Sequence, residues 1–148
     1  MLWSLDSSSL FIWDINYRDN KNKFISAFAA NDPDSTMKVW KLVVSRENGK
    51  KCIFLNTRND RRYRTIQLVE LVLKHIKPDN FIIRGDDVHS ILKEYKIKGI
   101  KLKVFNMVTT HNEIIDYLNQ LDKYTIVGIG HIVGWGDRFI REIKKYRL

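Results

Sequence analysis

Cysteine is nearly absent, with Cys52 the only one in 148 residues, so no disulfide can form within the chain. Its place inside the apolar run Cys52-Ile53-Phe54-Leu55 suits a small buried hydrophobe better than a nucleophile. The length nevertheless allows a core to be buried without a covalent staple, in one domain spanning 1–148. No apolar stretch approaches the roughly 20 residues that cross a bilayer. Met1-Leu2-Trp3-Ser4-Leu5-Asp6 also has no positively charged stretch of the kind that opens a secretory leader. The expectation is a soluble chain in a reducing compartment. His75, His89 and His111 show neither H-x-x-x-H nor H-x-H spacing, so no structural zinc site, and no metal site at all, is expected. No G-x-S-x-G elbow marks a serine nucleophile. No G-x-x-x-x-G-K-[ST] loop is present to cradle the phosphates of a nucleotide.

What the chain does have is positive charge. Lysine and arginine number 26 against 17 acids, a formal net charge of +9, which permits nucleic acid, an acidic membrane surface or an anionic substrate as partner. Most of the excess is dispersed over Lys21 and Lys23, Lys50-Lys51, Lys96 to Lys103 and Lys144-Lys145, where a solvated surface accounts for it. Only Arg58 to Arg64 concentrates arginine, with four in seven residues. Aromatic residues do not interleave the basic ones as on a single-strand stacking platform, and no recognised nucleic-acid-binding motif occurs. A basic nucleic-acid- or nucleotide-binding module remains the alternative to an enzyme domain.

Hydrophobic periodicity predicts a wound α/β fold. Phe24 to Ala30 reads as a buried strand; Asp32 and Pro33 then supply an N-cap and a first-turn proline for a helix carrying Met37, Trp40 and Val43 or Val44. Cys52 to Leu55 precedes a second helix with Ile66, Val69, Val72 or Leu73 and Ile76 on one face, ended by Pro78. Phe81-Ile82-Ile83 leads through Gly85-Asp86-Asp87 to Val88, Ile91, Leu92 and Tyr95. Leu102 to Phe105 is a short strand, and Thr110-His111-Asn112-Glu113 a capping box before Ile114, Ile115, Leu118 and Leu121. Tyr124 to Val127, a glycine-rich loop and a helix with Phe139, Ile140 and Ile143 complete the series. Leu10 to Ile15, set off by a turn-like Asn16 to Lys23, reads as an added edge strand. The expected architecture is an α/β, Rossmann-like three-layer sandwich, with a mostly parallel sheet of about six strands and one antiparallel edge strand.

Three strand ends are followed by polar or small residues: Asn31 to Thr36, Asn56 to Arg64, and Gly128 to Gly136. In an open α/β sheet ligands bind beyond the carboxyl ends of the strands, so three parallel neighbours would bring these loops to one edge. Asn31-Asp32-Pro33-Asp34-Ser35-Thr36, Asn56-Thr57-Arg58-Asn59-Asp60-Arg61 and Gly128-Ile129-Gly130-His131-Ile132-Val133-Gly134 together resemble the C-terminal part of the ATP-dependent poly-γ-glutamate synthases called PgsB or CapB. That family is similar to the Mur ligases, whose C-terminal Rossmann-like domain closes over a nucleotide-binding central domain. The resemblance covers about Lys23 to Arg138.

The resemblance implies a C-terminal substrate-binding and closing domain of an amide ligase that polymerises glutamate through γ-amide bonds. ATP and Mg²⁺ would be bound mainly outside this chain, on an upstream domain that carries the phosphate loop missing here, leaving the chain inactive alone. The implied partners are that domain, glutamate or its polymer, and small membrane subunits at the inner face of the cell membrane. Arginine makes bidentate bonds to phosphate and carboxylate, which suits Arg58 and Arg61, with Asp60 fixing one guanidinium, to the catalytic role, and Arg64 to the substrate. Asn31, Asp32, Ser35, Thr36 and Asn56 are further substrate-binding candidates beside a helix N-terminus. Gly128 and Gly130 permit close backbone approach, and His131 is placed to donate to phosphate or orient a carboxylate.

Overall fold

Strand and helix periods alternate along the chain, and the backbone follows them. The structure is a computed structural model in which residues 2–3 and 10–147 are described; Met1, residues 4–9 and Leu148, included above in the N-terminal segment or the 1–148 span, lie outside the described residues. The strands are β1 (Leu2–Trp3), β2 (Leu10–Tyr17), β3 (Asn20–Ser26), β4 (Lys50–Asn56), β5 (Asn80–Arg84), β6 (Lys101–Phe105) and β7 (Tyr124–Gly130). The helices are α1 (Pro33–Arg46), α2 (Arg62–Leu71), α3 (Val88–Leu92), α4 (His111–Leu118) and α5 (Trp135–Ile143). A single 3₁₀ turn, Asn59–Arg61, leads into α2, and a π-helical turn, Val72–Ile76, continues it.

All seven strands form one sheet in the order β1-β2-β3-β7-β4-β5-β6. From β3 onward every pairing is parallel, while β2 is antiparallel to both β1 and β3. Each parallel strand feeds a helix, as the periodicity predicts. The expected antiparallel strand is present, extended on its outer side by the two-residue β1. The register aligns Ser26 with Gly128, Asn56 with Gly130, Arg84 with Asn56 and Phe105 with Arg84. The strand ends therefore lie along one edge.

Side chains of alternating residues build two cores. Ile53, Leu55, Val127 and Ile129 point to the face covered by α1, α2 and α3; Cys52, Phe54 and Ile126 point to the face covered by α4 and α5. Burying a large apolar side chain of this kind contributes about 1.5–3 kcal/mol, so both faces of the sheet are held. Cys52 is fully buried, and burial pushes its thiol pKa up, which fits a packing role.

Three boundaries differ from those expected. β3 stops at Ser26 rather than Ala30, because Ala27 N–H still bonds to Gly128 O but Ala30 N–H turns back to Ala27 O. The segment Asn16 to Lys23 is mostly strand, with the hairpin tip at Arg18 and Asp19. Its asparagines mimic a turn in sequence, yet Asn20 and Asn22 are in β3 and donate to Asn119 O and Leu121 O, tying the hairpin to the end of α4. Finally, β7 runs to Gly130, so the first two glycines of the supposed loop are in the sheet.

Candidate functional site

The edge where β3, β4 and β7 end side by side carries a cavity of about 190 Å³, lined among others by Asn31, Asn56, Arg58, Arg61, Arg64 and His131. Three loops far apart in sequence thus meet, as expected of parallel neighbouring strands. The residues that bring them together are the backbone ends of β4 and β7. His131 N–H donates to Asn56 O at 2.8 Å, and Asn56 Nδ2 donates to His131 O at 2.6 Å. Asn56 therefore holds the His131 peptide from both sides. Gly130 makes this possible: its φ is +95°, and a Cβ there would lie 2.3 Å from Asn56 O. Only glycine allows that approach.

Arg58 stands between Asp60 and His131. Its Nε is 2.6 Å from Asp60 Oδ1 and its Nη1 is 3.5 Å from His131 Nε2. Burial and, after it, the Arg58 charge lower the pKa of His131, favouring a neutral ring whose Nε2 can accept from Arg58. Asp60 fixes a guanidinium, as its sequence position suggested. Arg61 lines the cavity from the turn before α2, and no carboxylate pairs with it among the described residues. Arg64 donates to Asn31 O at 3.3 Å across the mouth. The fourth arginine, Arg62, turns away to Asp87 and Ser90 beside α3.

A helix N-terminus ordinarily attracts acids, because its free N–H groups and dipole are positive. Here α2 begins with Arg61, Arg62 and Arg64 in its first turns, and no side chain caps it. Like charge is concentrated where local physics disfavours it. Asp87 offsets Arg62, whereas Arg61 has no carboxylate partner among the described residues, a local conflict that makes it a candidate functional position.

The remaining expected residues are placed as follows. Asp32 is the N-cap of α1, accepting from Ser35 N–H and Ser35 Oγ, both at 2.8 Å; these bonds hold its carboxyl below the usual range. Thr36 is buried and donates to Ala30 O. Neither Asp32, Ser35 nor Thr36 lines the cavity, whereas Asn31 does. Gly128 is inside the sheet, where a Cβ would come within 2.6 Å of Phe28 Cζ. Its lack of a side chain is explained by aromatic packing.

Arg84 escaped the sequence reading. It ends β5 at the same edge and is only 5% exposed. Nη1 donates to Asn56 Oδ1 at 2.9 Å and Nη2 to Met107 O at 2.7 Å, and the guanidinium lies 4.0 Å from the Trp135 ring centroid. Burial lowers its pKa to about 10, with Asp86 opposing the shift. The signal was an arginine closing an otherwise apolar strand. It passed unnoticed because Gly85-Asp86-Asp87 drew attention as a helix entry. A second cavity, about 320 Å³, opens on this side, lined by Arg58, His131, Arg84, Val133 and Trp135 among others.

Among the described residues no group of three or more His, Cys, Asp or Glu side chains could hold a metal ion. The cavity presents cationic side chains, Arg58, Arg61 and Arg64, a set that suits an anionic ligand.

Residues 12–146 match the family model described as the poly-gamma-glutamate synthase CapB C-terminal domain. The chain is 33% identical over 131 residues to the PGA synthase CapB of Bacillus subtilis (strain 168), covering 84% of this chain and 33% of that protein. It is 29% identical over 130 residues to the capsule biosynthesis protein CapB of Bacillus anthracis, covering 84% and 28%. The chain thus spans about a third of the length of these curated relatives. In fold it is similar to a structure of MurF from Acinetobacter baumannii, with a TM-score of 0.60 at 16% identity, covering 87% of this chain and 29% of that one. With the three loops gathered at one strand edge and nearly the whole chain matched, the protein belongs to the family of poly-γ-glutamate synthase CapB C-terminal domains, with a Mur-ligase-like fold.

Proposed function

We propose that this domain supplies the acyl-phosphate and amino-acid side of an ATP-dependent amide ligase that joins glutamate through γ-amide bonds. In such a reaction a γ-carboxylate oxygen takes the terminal phosphoryl group of ATP, releasing ADP. An amine then attacks the acyl carbon, the C–O bond to phosphate breaks, and the amine loses a proton as the amide forms. Negative charge accumulates first on the phosphoryl oxygens and then on the tetrahedral oxygen. Preorganised cations at that place lower the barrier.

The observation that carries this is Arg61, a guanidinium at the positive end of α2, lining the cavity without a carboxylate partner among the described residues. Arg58, oriented by Asp60 and bonded to His131, adds a second fork at the cavity wall. Arg64 at the mouth is suited to a substrate carboxylate, and His131 to a phosphate or carboxylate oxygen. Asn56 contributes by fixing the His131 peptide. ATP and Mg²⁺ are held mainly by an upstream domain of the same protein; the metal supplies charge neutralisation on the phosphates. Small membrane subunits and a location at the inner face of the cell membrane complete the proposal. The described residues include no helix long and apolar enough to cross a membrane.

The test is Arg61→Lys in the complete synthase. Lysine keeps the charge and loses the planar fork, so turnover should fall about 100- to 1,000-fold, the loss of roughly 2.7–4 kcal/mol seen when one preorganised donor is removed. Melting should be unchanged, since Arg61 is exposed. Near wild-type polymer synthesis would remove Arg61 from the site.

A further inference from the structure

Arg84 is a buried cation with no ion-pair partner among the described residues, and the charge of Asp86 only partly offsets its desolvation. Its guanidinium has five N–H donors; two are used, on Asn56 Oδ1 and Met107 O, and the buried Nε has no partner. The face of Trp135 offsets part of the desolvation, but no carboxylate pairs with Arg84 among the described residues. An unpaired buried charge is costly, and it is retained here at the wall of the second cavity. Asn56, Thr57, Arg58 and His131 line both cavities. The two cavities therefore adjoin along these residues, with Arg61 lining only the first and Arg84 only the second.

A γ-linked glutamate chain carries one free α-carboxylate on every unit. Two adjoining cavities, each lined by arginine, match two such carboxylates in sequence. Resting on the ligase function proposed above, we infer that the Arg84 compartment is a second carboxylate subsite, and that the domain binds a γ-linked oligoglutamate in preference to free glutamate. Asn56 joins the two halves, since it accepts from Arg84 and donates to His131 O.

The experiment follows amide shifts of this chain by NMR while titrating glutamate and γ-linked triglutamate, each in L and D form, at low salt. Triglutamate should bind about ten-fold more tightly than glutamate, with shifts at Trp135 and Val133 that glutamate does not produce. Arg84→Gln should abolish that gain while glutamate binding persists. Because Arg84→Gln can disturb the fold, Val133→Glu is the second variant: Val133 is 67% exposed at the same cavity, so a carboxylate there repels the oligomer without touching the core. Arg61→Gln should weaken both ligands. Triglutamate binding no tighter than glutamate, or an advantage surviving in both Arg84→Gln and Val133→Glu, would overturn the second subsite and leave the ligase function standing. Failure of both ligands to bind would overturn the two together.

Discussion

Gly128 and Gly130, two positions apart in one strand, lack side chains for different reasons, and their alanine variants should fail differently. At Gly128 the obstacle is the ring of Phe28, an overpacking cost of about 1–3 kcal/mol that should lower the melting temperature and leave anion binding intact. At Gly130 the obstacle is Asn56 O, at a positive φ, so the strand end must move and carry His131 away from Arg58. Gly130→Ala should therefore lose phosphate binding as well as stability, measured by calorimetry and by the His131 ring signals. His131 itself offers a pH readout. Burial and the Arg58 charge hold its pKa below 6.5, so between that lowered value and 6.5 the folded state binds fewer protons than the unfolded one, and stability rises with pH. A bound phosphate should raise the His131 midpoint, as seen by proton NMR; an unmoved midpoint would place the ring outside the site. Arg58, Arg61 and His131 were legible in the sequence because polar loops after apolar strands advertise themselves. Arg84 was not, because its meaning comes from Trp135 and Asn56, which only the fold brings to it.

The helices that flank the cleft begin in opposite ways. α1 opens with a complete cap, Asp32 bonded to Ser35 through both backbone and hydroxyl, and Asp32→Ala should cost about 0.5–2 kcal/mol in chemical denaturation. The bonds that lower the Asp32 pKa stabilise the fold above the ordinary carboxylate value, and that contribution is lost as pH falls through the lowered one. α2 opens with arginines and no cap. The first kind of start is readable from sequence, since Asp-Pro and the Thr110–Glu113 box obey local rules, and both caps form. Strand ends were read less well. Ala27 to Ala30 is apolar enough to continue β3, yet the turn at Ala27 takes it out of the sheet; Asn20 and Asn22 look like a turn and are strand, because their amides bond to the end of α4. For the hairpin, partners about a hundred residues away decided the boundary, whereas β3 is ended by a local turn.

For the molecule as a whole, a net charge of +9 draws any polyanion, and the question is whether the attraction is specific. Binding to DNA through phosphates falls steeply with salt; this chain should show only weak, sequence-independent association that vanishes near physiological salt, by fluorescence anisotropy. Nanomolar DNA or RNA binding there would favour a nucleic-acid module instead. The layered α/β architecture and the gathering of three loops were readable from the alternation of periods, but the strand order was not, and it matters for how the chain is made. β7 sits between β3 and β4, which do not pair with each other. Until Tyr124 to Gly130 has been synthesised, the nascent chain consists of two ribbons, β1 to β3 and β4 to β6, with no seam to join them. The strand of this sheet that comes last in sequence is its keystone, so cooperative folding must wait for it, and the cleft cannot form before it. A chain interrupted before β7 would be left with two strand ribbons whose facing edges are unpaired.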